Sequence, residues 1–238
     1  MPFSTQIRES RAFVAEVKFL VPADRVDDLR AWARSRLRPD PFGGGPFGDS
    51  YETSSLYFDT GAFDVFRRHG SYGRSKYRIR RYGNEPELFL ERKLKTRELV
   101  TKRRSRIAAD ELSGLLSADP RKGWAGHWFH RRILARNLGP VCQVAYSRTA
   151  LVQSNGHGPI RLTLDTGLRG APAGDLAFAD LGAAVPLTGA CGILELKFYC
   201  VRPPLFDELI GHFALTPQPL SKYRAAVQAL YAREVAIA

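Results

Sequence analysis

Charged side chains recur at every second position in the segments of this chain that have the composition of β-strands. In the segment 75–82, Lys76, Arg78 and Arg80 alternate with tyrosine and isoleucine, and in the segment 192–200, Glu195 and Lys197 alternate with leucine and phenylalanine. Because successive side chains of a strand point to opposite faces, each strand has one charged and one apolar face. The sequence therefore predicts a sheet with charge on one side and a hydrophobic core on the other.

This alternation and the helical patterns between the strands divide the chain into about eight strands and five helices. Strands are expected at Arg11–Val21, Ser54–Asp59, Ser75–Tyr82, Leu88–Lys95, Val100–Ile107, Val141–Val152, Arg161–Leu168 and Gly192–Cys200. Helices are expected at Ala23–Leu37, Asp110–Ser117, Gly123–Asn137, Pro204–Phe213 and Ser221–Val235. No repeat or linker interrupts the pattern, so residues 1–238 are expected to form one domain.

Two local signals refine these elements. The proline- and glycine-rich stretch 38–50 lacks the Gly-Lys-Ser/Thr ending of a nucleotide-binding P-loop, so we expect a surface loop there. Asp24 and Ser221 are the expected N-caps of the first and last helices, because their short polar side chains can accept a hydrogen bond from the first helical turn.

The charged face points to a closed barrel. An ordinary half-buried sheet explains the alternation, but not why almost every strand carries glutamate together with lysine or arginine two residues apart. If the strands close on themselves, the charged face becomes the lumen and the helices cover the apolar outside. We therefore expect an α+β fold, with a closed antiparallel β-barrel of about eight strands and helices packed outside.

The net charge indicates what such a lumen holds. The chain has 36 Lys+Arg and 24 Asp+Glu, a formal charge of +12, which implies a polyanionic partner. Buried cations need counter-charges, and arginine and lysine match phosphate oxygens. Carboxylates would repel phosphate unless they hold a metal, so Glu195 foremost indicates Mg²⁺ or Mn²⁺. Positioning, charge neutralisation and a metal are what phosphoryl transfer requires.

Other features of the sequence indicate the cellular location. Three scattered cysteines give no disulfide framework or metal motif, and we expect a reducing, cytoplasmic location. No signal peptide is recognised, and no run of about 18 apolar residues predicts a membrane span.

The histidine pair, two arginine pairs and the basic character of the chain could also indicate other sites. His127 and His130 are spaced as two ligands on one helix face, but no third ligand is nearby, so packing or surface roles are favoured. The pairs Arg103-Arg104 and Arg131-Arg132 are expected to be solvated, where they could attract a polyanion to the lumen's mouth. Nucleic-acid binding would need exposed aromatics on an open basic face, and the Glu-x-Lys pairs argue against it.

Nine motifs in one order resemble the VTC domain, the polyphosphate polymerase domain of the vacuolar transporter chaperone, within the CYTH-related triphosphate tunnel metalloenzymes. They are the ExKF at 16–19, YFDT at 57–60, KYRIRRYG at 76–83, FLERK at 89–93, TKRR at 101–104, YSRTA at 146–150, RLTLD at 161–165, LELK at 194–197 and SKY at 221–223. The resemblance covers about residues 11–230. It implies a tunnel that binds ATP with Mn²⁺ or Mg²⁺ and transfers the γ-phosphate to a growing polyphosphate chain.

The resemblance also implies roles for individual residues. The expected catalytic phosphate contacts are Lys18, Arg78, Arg80, Lys93, Arg148 and Arg161. Further contacts to phosphate or product are expected from Lys102, Tyr146, Lys197, Ser221 and Lys222. The metal is expected at Glu195, aided by Glu91 and Glu16. Lys102, Ser221 and Lys222 rest mainly on the resemblance, whereas strand parity selects most of the others independently.

The resemblance leaves the reaction open. Triphosphate hydrolysis uses the same tunnel with water as acceptor, and a non-catalytic polyphosphate-binding module would keep the cations without needing the metal carboxylate. The SPX domain and membrane helices of the eukaryotic complex are not recognised here, so regulation and translocation are not carried over. We expect ATP or another triphosphate and polyphosphate as partners, and no nucleic acid; a membrane-bound partner protein is left open.

Overall fold

A computed structural model describes residues 7–8, 14–96, 99–155, 158–182, 184–199 and 201–236 of the chain. Its strands are β1 (Ile7–Arg8), β2 (Val14–Val21), β3 (Arg38–Pro39), β4 (Ser50–Asp59), β5 (Ser75–Tyr82), β6 (Glu87–Thr96), β7 (Leu99–Ala108), β8 (Gly139–Asn155), β9 (Gly158–Pro172), β10 (Val185–Pro186) and β11 (Gly192–Tyr199). Its α-helices are α1 (Val26–Arg34), α2 (Asp64–Arg67), α3 (His127–Ala135), α4 (Pro204–His212), α5 (Lys222–Leu230) and α6 (Ala232–Ala236). Short 3₁₀ helices lie at Ala23–Arg25, Gly70–Arg74 and Ala109–Leu116.

One antiparallel sheet contains all eleven of these strands. Its order is β1-β7-β6-β5-β4-β8-β9-β11-β2, with β3 added to β8 and β10 to β9. The predicted β5–β6 hairpin is present, and Gly83 begins its turn with a φ of 49°, which glycine adopts at little cost. The pairing of β8 with β9 shifts register between Ala145 and Ser147, and such a bulge increases the local twist.

The sheet curls but does not close through its backbone, which corrects the prediction of a closed barrel of about eight strands. Curling brings β2 against β6, where Glu16 Oε2 lies 3.2 Å from Lys93 Nζ. The outer edge of β2 is already used, because Gln218 donates its backbone N–H to the Lys18 carbonyl at 2.8 Å and Phe19 is bridged to Pro217. Backbone groups paired in this way cannot also pair with β7. The gap between β2 and the β6–β7 side of the sheet, which we call the seam, is therefore crossed by side chains.

The convex face carries the apolar residues of the strands and is covered by helices, as predicted. Below α1 and α4, Leu194 and Leu196 of β11 pack in one buried cluster with Leu29 and Phe206. A second cluster lies under α3 and includes Phe129, whose ring meets Tyr77 edge-on at 5.8 Å between centroids. Removing these side chains from water supplies the main stabilisation of the fold.

Helix α5 is the exception to the prediction that helices pack outside. Its Tyr223 hydroxyl donates to Asp59, and its Tyr223 ring lies 5.4 Å from that of Tyr57, both on the concave side of β4. The buried stripe of Tyr223, Ala226 and Val227 therefore fills one end of the concave face. Ser221 is its N-cap as predicted, accepting from the Arg224 N–H at 3.4 Å.

Several boundaries differ from prediction. The first helix begins as a 3₁₀ turn and no side chain caps it, so the Asp24 cap is wrong. The segment expected as a helix at Asp110–Ser117 is the 3₁₀ helix Ala109–Leu116, and the last helix is divided at Tyr231 into α5 and α6. Arg11–Phe13 and Cys200, the ends of two predicted strands, lie outside the described residues.

Among the described residues, no helix combines the length and apolar character needed to cross a membrane.

Candidate functional site: a cationic lumen

The concave face gathers the predicted charged residues into one network of ion pairs. Parity places them there, because the charged positions of each strand share a face and the curled sheet turns that face inward. All fourteen predicted site residues lie on this face or at its α5 end: Glu16, Lys18, Arg78, Arg80, Glu91, Lys93, Lys102, Tyr146, Arg148, Arg161, Glu195, Lys197, Ser221 and Lys222. We call this face the lumen.

Glu91 is the centre of the first group of ion pairs. Arg78, Glu91 and Arg104 stand opposite one another on β5, β6 and β7. Arg78 Nη2 lies 2.6 Å from Glu91 Oε2, while Lys102 Nζ and Arg104 Nε lie 3.0 and 2.9 Å from Oε1. Burial would raise the pKa of this carboxyl, but the neighbouring cations, Arg78 foremost, hold it well below its usual range. Both oxygens of Glu91 are therefore occupied in positioning cations.

Asp165 is the centre of the second group. Arg148 donates to both its oxygens, at 2.6 and 2.8 Å, and Lys222 Nζ approaches Oδ2 to 2.5 Å. Although complete burial would raise it, the pKa of Asp165 is lowered to about 2 by Arg148 and Lys222. A bidentate clamp of this kind fixes the guanidinium in one orientation, and α5 contributes its lysine to the same carboxylate.

Glu16 and Glu195 form a third group on the adjacent strands β2 and β11. Lys18 Nζ lies 2.9 Å from Glu16 and 3.4 Å from Glu195, and Lys197 Nζ lies 2.7 Å from Glu195 and 3.8 Å from Glu16. The two carboxylates therefore converge on the same two ammonium groups. Burial acts to lower the pKa of Lys18, but Glu195 and Glu16 raise it, so this lysine stays charged.

These two carboxylates fit a divalent cation that also takes phosphate ligands. Thr163 stands opposite Glu195 on β9, and its Oγ1 is buried with no hydrogen-bond partner among the described residues. Mg²⁺ is commonly held by one or two carboxylates, with phosphates and waters completing its octahedron. Within the described part of the chain, no three His, Cys, Asp or Glu side chains group as a metal site. A divalent cation held by these residues would therefore need further ligands from water or phosphate.

Arg80 is a buried cation without a carboxylate partner among the described residues. It is 4% exposed, and it donates to the hydroxyl groups of Ser55 and Tyr146 at 3.1 Å each. Neutral acceptors satisfy hydrogen bonds but do not neutralise a guanidinium charge. The tyrosine also receives a 3.4 Å hydrogen bond from Arg148, so its hydroxyl fixes two arginines side by side.

Lys76, at the α5 end of the lumen, also has no carboxylate partner among the described residues. Its Nζ donates to Ser221 Oγ at 2.8 Å. Burial, together with the nearby positive charges of Lys18 and Lys93, lowers its pKa to about 8. A lysine that partly gives up its proton reports a strongly positive site that an anion would relieve.

Arg161 occupies the other end of the lumen. Its Nη2 lies 3.0 Å from Asp40 and donates to the Tyr51 hydroxyl at 3.0 Å, while its buried Nε has no hydrogen-bond partner in the part of the chain that the structure describes. Asp40 belongs to the proline- and glycine-rich stretch, so that predicted surface loop in fact places one buried carboxylate in the site.

Sequence reasoning missed several members of the network. Asp165 and Lys76 shared a face with selected residues but were given no role, and parity with Lys102 would have placed Arg104 in the lumen instead of in solvent. Asp40 lies in a loop, where strand parity does not apply. The Tyr57 hydroxyl accepts from Arg78 at 3.3 Å, and this residue was part of the YFDT motif but was given no role.

The structure gives no support to the alternative that His127 and His130 are metal ligands. His130 is completely buried and stacks edge-on against Trp124, and burial lowers its pKa. Its ring therefore has the surroundings of a core side chain, as favoured from the sequence.

Fold and site together define a class: an α+β protein whose curled antiparallel sheet encloses a cationic lumen. A sequence profile described as the VTC domain matches residues 13–231, so the chain belongs to the VTC domain family, as the nine motifs predicted.

Solved structures share the fold. They include a protein of Bacillus halodurans described as a candidate adenylate cyclase, with 17% identity, a TM-score of 0.53 and coverage of 91% of this chain and 96% of that one. A protein of Hippeastrum, described as a candidate adenylyl cyclase with a dominant triphosphatase activity, has 15% identity, a TM-score of 0.51 and coverage of 93% and 98%. A Pyrococcus horikoshii protein has 11% identity, a TM-score of 0.51 and coverage of 91% and 99%. No curated protein matches the sequence significantly.

Proposed function

We propose that this chain is a metal-dependent polyphosphate polymerase that uses ATP. In the reaction, a terminal oxygen of the polyphosphate chain forms a bond to the γ-phosphorus of ATP, the bond from that phosphorus to the β–γ bridging oxygen breaks, and ADP leaves. Membership of the VTC domain family supports this choice of reaction, and the lumen supplies the positioning and charge that phosphoryl transfer needs.

Arg80 is the observation that carries the proposal. A fully buried guanidinium bonded to neutral hydroxyls costs free energy unless an anion neutralises it in the working state. The wider network has the same imbalance. The lumen cations are Lys18, Lys76, Arg78, Arg80, Lys93, Lys102, Arg104, Arg148, Arg161, Lys197 and Lys222. Only five carboxylates form ion pairs with members of this set of eleven cations among the described residues, and a chain of phosphates would supply the missing negative charge.

Each group of the network has a role in this proposal. Arg78, Arg80 and Arg148 bind the phosphates that react, with Lys18, Lys93 and Arg161 along the same face. Tyr146 holds two of these arginines in register. At the ends, Lys102, Lys197, Ser221 and Lys222 hold the outer phosphates.

The metal belongs with Glu195 and Glu16. These two residues would hold Mg²⁺ or Mn²⁺, and the chemistry supplied would be neutralisation of the charge that develops on the leaving group. The lysines that pair with these carboxylates would then be released to phosphate. We assign Glu91 to positioning Arg78, Lys102 and Arg104 instead, because two arginines and a lysine hold its oxygens. Among the described residues, Glu16 and Glu195 are held by lysines alone.

Triphosphate hydrolysis is the second candidate. It uses the same contacts with water as acceptor, and the similar Hippeastrum protein is described as having a dominant triphosphatase activity. A non-catalytic polyphosphate-binding module is the third candidate, and the paired carboxylates Glu16 and Glu195 favour an enzyme over it.

The test follows three products at once. Purified protein is incubated with ATP and Mn²⁺ or Mg²⁺, and long-chain polyphosphate, ADP and free phosphate are measured. Polyphosphate in step with ADP is expected, and free phosphate alone would assign hydrolysis. Glu195→Gln should abolish turnover while the fold is retained, whereas the exposed Glu85→Gln serves as the matched control and should not. Full turnover by Glu195→Gln would contradict the metal site, and no product at all would contradict both enzymatic candidates.

A further inference from the structure

A second basic surface lies on the convex side of the sheet, outside the lumen. It is an open groove of about 370 Å³ lined by Arg103 of β7 and by His127, Trp128, Arg131, Arg132 and Ala135 of α3. We call it the outer groove. None of these residues takes part in the lumen network described above, since Arg103 has the opposite parity to Lys102 and Arg104 on the same strand.

The exposed charges that α3 contributes to the outer groove are both positive. Arg131 and Arg132 are exposed, and among the described residues no carboxylate pairs with either. Next to them, Arg92 of β6 and Arg103 of β7 stand directly opposite each other. Four arginine side chains therefore belong to this part of the surface.

Unpaired polar atoms in this surface also point to an anion. The Arg92 Nε and the His127 Nδ1 are buried and have no hydrogen-bond partner within the part of the chain that the structure describes. Buried polar atoms without partners are rare in folded proteins, and a bound oxyanion is one of the groups that can accept from the Arg92 Nε–H.

The aromatic ring in the outer groove, that of Trp128, already has contacts within the protein. The guanidinium carbon of Arg103 lies 4.5 Å from the centroid of Trp128, and the indole N–H donates to Ser105 Oγ at 2.6 Å. Trp128 is also only 8% exposed. A nucleic-acid surface needs free aromatic faces for base stacking, so this groove suits a polyanion without bases.

The position of the outer groove relates it to the lumen. Arg92 and Arg103 are adjacent in sequence to Lys93 and Lys102, which stand opposite each other on the inner face of the same two strands. The two basic surfaces thus lie back to back across the wall formed by β6 and β7, near the middle of the two strands.

From these observations, we propose that the outer groove binds inorganic polyphosphate as an exosite, outside the lumen that carries out the reaction. The choice of polyphosphate rests on the proposed function, because polyphosphate is the polyanion assigned to the lumen on the other side of these two strands, and a long chain has enough phosphates to occupy both surfaces. A second contact on the same chain raises its effective concentration at the lumen without new lumen contacts.

The test compares long-chain polyphosphate with tripolyphosphate, which is too short to occupy both surfaces. In the double variant Arg131→Gln/Arg132→Gln, two surface charges are lost on an exposed helix face. The salt slope of binding should fall by about 1.4 and the affinity for long-chain polyphosphate by about 25-fold at 0.1 M salt, using the slope for single-stranded polyanions. The affinity for tripolyphosphate should stay unchanged.

The matched control is Arg121→Gln/Lys122→Gln, which removes two exposed charges outside the groove. An equal loss in the control, or no loss in the groove variant, would overturn the proposal. Preferential binding of single-stranded RNA that is lost in the groove variant would also overturn it. Because equilibrium binding is measured with polyphosphate itself, the result is independent of whether the protein makes polyphosphate from ATP.

Discussion

Replacing Lys76 by methionine should stabilise the protein in the absence of phosphate and weaken its binding of phosphate chains. A pKa lowered from its usual 10.5 to about 8 corresponds to about 3 kcal/mol of unfavourable free energy for the charged form, because one pKa unit is worth about 1.4 kcal/mol. Lys76 is partly exposed, and solvent screening reduces this figure to about 2 kcal/mol. For a chain of this length the melting temperature should therefore rise by about 4–8 °C at pH 7.

The pH dependence gives the sign a second check. Between pH 8 and 10.5, the unfolded state keeps the Lys76 proton while the folded state has lost it, so wild-type stability rises with pH across that window. The advantage of Lys76→Met should accordingly be full below pH 8 and shrink toward pH 10.5. Its affinity for tripolyphosphate should fall about tenfold or more, as expected for one lost hydrogen bond to a charged group.

Lys18→Met is the contrasting variant, because the same change should have the opposite effect. Glu195 and Glu16 raise the pKa of Lys18 against the effect of burial, so its charge stabilises the fold. Its removal leaves two carboxylates short of a partner and should cost about 3 kcal/mol. Thermal unfolding of both variants, with and without tripolyphosphate, is the assay. A Lys76→Met protein that is less stable than wild type at pH 7 without phosphate would refute the reasoning.

Two further predictions concern the supports of the lumen. Asp165→Asn should cost about 3 kcal/mol at pH 7, because Arg148 and Lys222 lose their buried partner. With a folded pKa of about 2, the wild type loses about 2 kcal/mol as the pH falls from 4 to 2; urea unfolding should show a smaller acid loss in the variant, and equal losses would contradict this role. Tyr223→Phe removes the hydroxyl that binds Asp59 and should cost about 1–2 kcal/mol. It should also weaken tripolyphosphate binding measured by calorimetry, because α5 positions Lys222, and unchanged affinity would contradict that coupling.

Strand parity was enough to predict which residues face the lumen. A period of two is a local property, so Lys76, Arg78 and Arg80 could be placed on one face without knowing what lies opposite. The same rule, applied to Thr101–Arg104, would have placed Arg104 with Lys102, and treating the arginine pair as one solvated unit caused that error.

Whether the sheet closes, and which cations pair with each carboxylate, could not be predicted in the same way. Whether a sheet closes depends on what occupies its edge strands, and β2 is blocked by Gln218, which is 200 residues away along the chain. Glu91 and Glu195 have the same sequence surroundings of a Glu-x-Lys pair, yet their partners differ. Two arginines and a lysine from neighbouring strands hold Glu91. Two lysines hold Glu195, which also stands opposite a threonine whose hydroxyl has no hydrogen-bond partner among the described residues. Such differences arise from strand order, which alternation does not encode.

The seam shows how binding and folding are connected in this lumen. Lys93 reaches across it to Glu16, and Lys76 reaches the N-terminus of α5 at Ser221, so lumen cations hold the two walls together. A phosphate chain would compete with Glu16 for the same ammonium groups, and a metal would compete with those ammonium groups for Glu16. Binding is therefore an exchange of ion pairs, in which contacts across the seam are replaced by contacts through the ligand. Because the ligand's charges neutralise both walls at once, it should stabilise the curled sheet more than the contacts that it displaces.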